Sequence, residues 1–349
     1  MKINGFFERL FGLTGCFSFF STHKAIHILK EFKPDVVFLG NLHGGYVNVF
    51  RLLKFLAKHS IPLVQFMWDE YPMTGRCAYT LQCEKFKFTC FKCPNKNQYP
   101  KSWFFDCSRF LQNRKKKAYD MNNICFVGPK ETIEKAKESY LLKNHKLYVL
   151  NDFIDTQLYS PQDGTMLRKK LGISENQIVV LNVCHYSNPR KGGPFYLELA
   201  KKCFDLTNLV FVHVGFTDSK TICPKNFIPI PPEKDTFKMS LFYSIADVFL
   251  CTSIADTMPN TCLEALCCGT PIIGFDIPGI RSCAPSPFGT YFKPLSIQDL
   301  KRGLSHVKKK NAEDIAVIRQ FAVGAYSSDA GNATLLKIVN NMLQSNVKD

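Results

Sequence analysis

Short runs of consecutive apolar residues recur along the chain, and amphipathic stretches lie between them. DVVFLG (Asp35–Gly40) and IPLVQFMW (Ile61–Trp68) are the first two, with a helical pattern separating them. ICFVG (Ile124–Gly128) and KLYVL (Lys146–Leu150) follow. After Pro161 the rhythm restarts with IVVLNVC (Ile178–Cys184), LVFVHVG (Leu209–Gly215), DVFLC (Asp247–Cys251) and PIIGFD (Pro271–Asp276). A strand buried on both faces reads as a continuous apolar run, and alternation with amphipathic helices predicts parallel sheets covered on both sides. Two such series predict two doubly wound α/β domains. The polar, Pro-terminated segment NDFIDTQLYSP (Asn151–Pro161) is the expected linker. The expected domains are 1–155, with a Cys-rich insertion at 73–107, and 156–349, with the last helix packing back on the first domain.

A length of 349 residues, 46% of them apolar, is enough for two cores. No apolar run reaches the roughly 18–20 residues of a membrane span. The opening MKINGFFERLFGLTGCFSFFS has Glu8 where a signal peptide would be basic, and no small-residue cleavage site follows, so it does not read as a cleaved leader. Fifteen cysteines, an odd number, favour a reducing, cytoplasmic setting. The formal charge of +16 suggests an anionic partner: nucleic acid, a phosphorylated ligand or an acidic membrane surface. A Lys-rich solvated surface is the plainer reading, and the basic runs are short.

The chemistry gathers in ADTMPNTCLEALCCGTP (Ala255–Pro271), which directly follows an apolar strand. Ligands of doubly wound sheets bind beyond the carboxyl ends of strands. Asp256 therefore falls on such a loop, and a helix starting near Asn260 turns its free N–H groups toward the same place. Glu264, one turn in, can accept two ribose hydroxyls. The structural alternative is a capping box, with Asn260 or Thr261 as cap and Glu264 reaching back. In NVCHYSNPRKGGPF (Asn182–Phe195) a second strand runs into Arg190, Lys191, Gly192 and Gly193. Adjacent cations there can clamp a diphosphate, and glycines allow its close approach. By itself RKGG also fits a surface turn.

These two patches together resemble the group 1 retaining glycosyltransferases of GT-B fold. The family pattern of an acid, seven residues and Glu, then Gly-Thr-Pro, is met by Asp256, Glu264 and Gly269–Thr270–Pro271. RKGG matches the family's phosphate-binding Arg-Lys-Gly, and FIDTQLYSP its interdomain linker. NLHGGYVN (Asn41–Asn48) and WDEYPMTGRCAYTLQCEKFKFTCFKCP (Trp68–Pro94) are similar to a bacterial polysaccharide branch that builds capsule, exopolysaccharide or O-antigen repeats.

The resemblance implies two Rossmann-like domains facing a cleft. It implies sugar transfer from a UDP- or GDP-sugar to a growing, lipid-linked glycan with retention, at the inner face of the cell membrane, without nucleic acid. Glu264 would hold the ribose, Asp256 and the Met258–Pro259–Asn260–Thr261 backbone would face donor, and Arg190 and Lys191 would neutralise the leaving diphosphate. No catalytic metal is then required. His43 and Asp69, after two strands of the first domain, would lie near sugar and acceptor, though a lone His is often structural.

Three departures stand out. Trp68 replaces the family's His, PGIRS (Pro278–Ser282) lacks its acid, and the usual opening strand and Gly-rich loop are not recognisable, so the first domain reads as shortened. A truncated or inactive homologue that binds nucleotide or a partner is one alternative, a sugar-nucleotide epimerase another, and a basic nucleic-acid-binding protein a third. A carboxylate-lined site disfavours the last. Cys77, Cys83, Cys90 and Cys93 form C-x5-C-x6-C-x2-C, which can close a structural zinc site; disulfides or packed free thiols are the other readings.

Overall fold

A computed structural model describes residues 2–121 and 123–345. The chain divides into two units, Met1–Asn151 with Ala333–Asp349, and Asp152–Asn332.

The first unit opens with helices α1 (Lys2–Phe11) and α2 (Phe19–Phe32). Strand β1 (Val37–Leu39), α3 (Val49–Lys58), β2 (Leu63–Phe66), α4 (Ser108–Tyr119), β3 (Ile124–Gly128), α5 (Lys130–Lys137) and β4 (Lys146–Val149) follow. The four strands are parallel and lie in chain order, β1-β2-β3-β4. α3 shows how the sequence builds this layer. Asn48 caps it by accepting the Arg51 amide, and Val49, Phe50, Leu52, Leu53 and Leu56 bury one face at helical spacing. The residues between β2 and α4 wrap around buried cations. The Arg76 guanidinium donates to Lys96 and Pro100 carbonyls, and Lys115 Nζ donates to Tyr71 and Thr74 carbonyls at 2.6 and 3.0 Å. Burial pulls the Lys115 ammonium down to about 7.

The second unit contains α6 (Thr165–Lys170), β5 (Ile178–Val183), α7 (Gly193–Lys202), β6 (Leu209–Val214), β7 (Phe227–Ile230), α8 (Thr236–Ile245) and β8 (Val248–Cys251). It continues with α9 (Asn260–Cys267), β9 (Ile272–Phe275), α10 (Pro278–Arg281), β10 (Gly289–Phe292), α11 (Ile297–Leu304) and α12 (Ala312–Tyr326). α13 (Ser328–Ser345) starts in this unit and ends in the first. Six parallel strands lie in the order β10-β9-β8-β5-β6-β7. The chain therefore winds outward from β5 in one direction, returns, and winds outward from β8 in the other. That is the Rossmann order, and its switch point falls between β5 and β8. Val179, Val180, Leu181, Phe211, Val212 and Leu250 are buried at the sheet's centre, as the continuous apolar runs require.

Each of the eight apolar runs contains a strand. β7 and β10, the two edges of the second sheet, are additional.

Candidate active site

At the switch point the loops after β5 and β8 are tied together. Asn182 donates to the Leu250 carbonyl at 2.7 Å, Thr252 Oγ1 donates to the Lys191 carbonyl at 2.8 Å, and the Ile254 amide donates to the Arg190 carbonyl at 2.9 Å. Gly192 has φ +76°, and a Cβ there would sit 2.4 Å from the Thr252 carbonyl oxygen. Glycine is therefore needed both for the turn and for the close approach. This bracing fixes the side chains that follow. Lys191 Nζ lies 2.6 Å and Arg190 Nη1 3.2 Å from the same oxygen, Asp256 Oδ2. Two cations thus meet on one carboxylate in a compact charged cluster. It is flanked by the amino ends of α7 and α9, whose first amides lack intrahelical partners.

Met258 and Pro259 lie on the β8–α9 connection, and Asn260, Thr261 and Glu264 in the first turns of α9. Met258 and Pro259 are buried, Thr261 is half-buried and Asn260 is exposed. The capping-box reading fails. α9 follows Pro259 with no side-chain cap, and Glu264 instead accepts the Tyr243 hydroxyl at 2.5 Å and a further bond from Tyr159. Burial raises the Glu264 carboxyl while the two tyrosines and Lys191 hold it down. Tyr243 comes from α8, too far along the chain for local spacing to reveal the pair.

Two further residues escaped the sequence reading. Gly279, at the start of α10, packs so closely on the Asp256 loop that a Cβ would come within 2.0 Å of the Asp256 carbonyl oxygen. Asp152 is pushed up to about 7 by burial and then by the Asp256 charge.

In the first unit the structure joins His43 and Asp69. His43 Nε2 lies 2.5 Å from Asp69 Oδ2, Nδ1 lies 3.2 Å from the Tyr99 hydroxyl, and the Tyr71 amide donates to Asp69 Oδ1 at 2.8 Å. Both groups are buried, and His43 and Tyr99 line a cavity of about 70 Å³ with Glu8, Arg9 and Lys101. Burial pushes the Glu8 carboxyl up to about 7, against the Gly15 amide and the His43 and Arg9 charges.

Cys77 and Cys93 sulfurs lie 3.7 Å apart, but Cys90 Sγ takes the Gly75 amide and Cys83 is half-exposed. Among the described residues no group of three or more His, Cys, Asp or Glu is placed to hold a metal ion. Packing and the carbonyl bonds to Arg76 and Lys115 help to organise the segment. No described helix is long and apolar enough to cross a membrane.

Two parallel α/β units of Rossmann type define the class, and solved structures place it as GT-B. HepE of Anabaena in complex with UDP superposes with a TM-score of 0.65 at 15% identity, over 92% of this chain and 82% of that one. Sucrose-phosphate synthase of Thermosynechococcus elongatus also gives 0.65, at 13% identity, over 93% and 78%. Residues 165–321, a little under half of the chain, match the family model "Glycosyl transferases group 1". WcaC of Escherichia coli strain K12, a glycosyl transferase assigned to colanic acid biosynthesis, is 23% identical over 90% of this chain and 77% of its own length. Alpha-galactosylglucosyldiacylglycerol synthase of Streptococcus pneumoniae is 30% identical over 39% of each chain. The family model and these relatives support a glycosyltransferase of group 1.

Proposed function

We propose that this chain transfers a sugar from a nucleoside-diphosphate sugar to a growing, lipid-linked polysaccharide, with retention of anomeric configuration, as a peripheral protein at the inner membrane face. The observation that carries the reading is the Arg190–Lys191–Asp256 cluster at the β5–β8 switch point. Asp256 holds the two cations at a common point, and cations so placed beside two helix amino ends suit a diphosphate. In the reaction the bond between the anomeric carbon and the diphosphate oxygen breaks. The acceptor oxygen bonds to the same face of the sugar, and its proton passes to the departing phosphate. Negative charge grows on the diphosphate, so fixed cations there stabilise the transition state more than the ground state. Glu264, oriented by Tyr243, takes the ribose hydroxyls, and the Met258–Thr261 backbone faces the donor sugar. The His43–Asp69–Tyr99 chain of contacts serves the acceptor side.

Two relatives support this reading: WcaC by its assignment to a polysaccharide, and the diacylglycerol glycosyltransferase by its lipid product. The structure of HepE with UDP-glucose supports the donor class. The test is a panel of UDP- and GDP-sugars with polyprenyl-diphosphate-linked acceptors, followed by release of nucleotide and the anomeric configuration of the product. Release that depends on acceptor, with retained configuration, is expected. Interconversion of donor sugars without an acceptor would replace this reading with an epimerase. Nucleotide binding without transfer would replace it with an inactive homologue.

A further inference from the structure

The first unit displays an aromatic surface that its own core does not cover. On α1, Ile3 is 72% exposed and Phe6 48%, and on the turn before α4 Phe104 is 64% and Phe105 55% exposed. The two segments form one surface. Phe6 meets the Trp103 ring at 5.2 Å, Phe7 stacks on Phe11, the Trp103 amide donates to the Arg9 carbonyl at 2.7 Å, and Cys107 Sγ donates to the Phe11 carbonyl at 3.2 Å. Contiguous exposed apolar surface of this kind marks an interaction site.

Its charge selects the partner. Arg9 on α1, Lys101 just before the turn and Arg109 at the start of α4 are exposed. Glu8, the one acid between residues 2 and 24, is buried and held toward neutrality; Asp106 on the turn keeps its negative charge while accepting the Cys93 and Ser108 amides, so three cations face one carboxylate. With a formal charge of +16, a second copy of the chain would meet like charge. The rings contact one another in a cluster instead of alternating with cations, which suits insertion between lipid headgroups better than stacking along a single nucleic-acid strand.

We infer that α1 and the Trp103–Phe105 turn form the docking surface of this protein on an anionic bilayer, with the aromatic rings at headgroup depth and the flanking cations on lipid phosphates. The surface adjoins the cavity that holds His43 and Tyr99, since Arg9 and Lys101 belong to both. A lipid-linked acceptor held in the bilayer would thus present its first sugars next to that cavity. This rests on the lipid-linked acceptor reading above.

The experiment uses the full chain with Trp68→Phe, so that Trp103 is the remaining tryptophan of two. It is mixed with vesicles of phosphatidylcholine alone or with phosphatidylglycerol, without donor or acceptor. Co-sedimentation with the anionic vesicles, a blue shift of Trp103 emission and its quenching by bromine-labelled acyl chains are expected. The double change Phe6→Ser, Phe7→Ser and, separately, Phe104→Ser should each weaken binding about tenfold or more, with unchanged far-ultraviolet circular dichroism. Binding without a Trp103 shift or quench, binding unaffected by both variants, or a Trp103 shift on self-association or on adding oligonucleotide without lipid would overturn the proposal. Transfer that fails while vesicle binding persists counts against the transferase reading alone. Transfer to a water-soluble acceptor without vesicle binding counts against the docking surface alone.

Discussion

Lys191 Nζ and Asp256 Oδ2 lie 2.6 Å apart, and they join the ends of β5 and β8, the two strands at which the second sheet reverses its winding direction. The pair is 65 residues apart in sequence and comes together because β5 and β8 pair in parallel. On the proposed reading, Asp256 positions the two cations as well as facing the donor.

If Lys191 stabilises the departing diphosphate, Lys191→Ala should lower kcat by roughly 100- to 1000-fold, as loss of a single charge-stabilising donor does, with a smaller rise in KM. Steady-state kinetics with a fixed acceptor measure both. A change confined to KM would assign Lys191 to ground-state binding.

Glu264→Ala should weaken UDP or GDP binding about tenfold or more, since hydrogen bonds to a charged group contribute roughly 1.5–3 kcal/mol each. Tyr243→Phe removes the 2.5 Å bond that orients the carboxylate and should produce a smaller loss in the same direction. Calorimetry on the three proteins checks the order, and equal affinities would remove Glu264 from the site.

Gly279→Ala places a methyl group against the Asp256 carbonyl at 2.0 Å. The loop must shift, at a cost of about 1–3 kcal/mol for overpacking. A lower thermal midpoint together with weaker nucleotide binding is expected. A loss of stability with full affinity would show that the loop's position does not matter to the ligand.

The Glu8 carboxyl is raised to about 7 in the folded chain, chiefly by burial, from an ordinary value of 4.5. Between those values the folded state binds more protons than the unfolded state. Its contribution is therefore fully favourable below about 4.5 and is lost as pH rises through about 7. Denaturant titrations across this window should show stability falling with pH on account of this group, and Glu8→Gln should flatten that slope. An unchanged slope would contradict the burial of Glu8.

The central strands were legible because burial on both faces writes them as unbroken apolar runs, as in Ile178–Val183 and Leu209–Val214. The edges were not. In Phe227–Ile230 one residue is buried and Pro229 is exposed, and no residue of Gly289–Phe292 is fully buried, so neither carries the same signal. Asp256, Arg190 and Lys191 were readable as strand-end residues, since their loops follow apolar runs. Their mutual contact was not, because strand order is not written in local spacing. Tyr243 and Tyr159 on Glu264, and Gly279 against Asp256, escaped for the same reason. The spacing of the four cysteines said nothing of the buried Arg76 and Lys115 that order the same segment.

The most direct test compares UDP and GDP with uridine and guanosine in titrations of the wild type and of Lys191→Ala. If the clamped cations hold the diphosphate, the wild type prefers one diphosphate over its nucleoside by about tenfold or more, and Lys191→Ala loses most of that preference while nucleoside binding is unchanged. Equal binding of nucleoside and diphosphate by the wild type, or an undiminished preference in Lys191→Ala, would contradict the assignment of the β5–β8 switch point as the donor site.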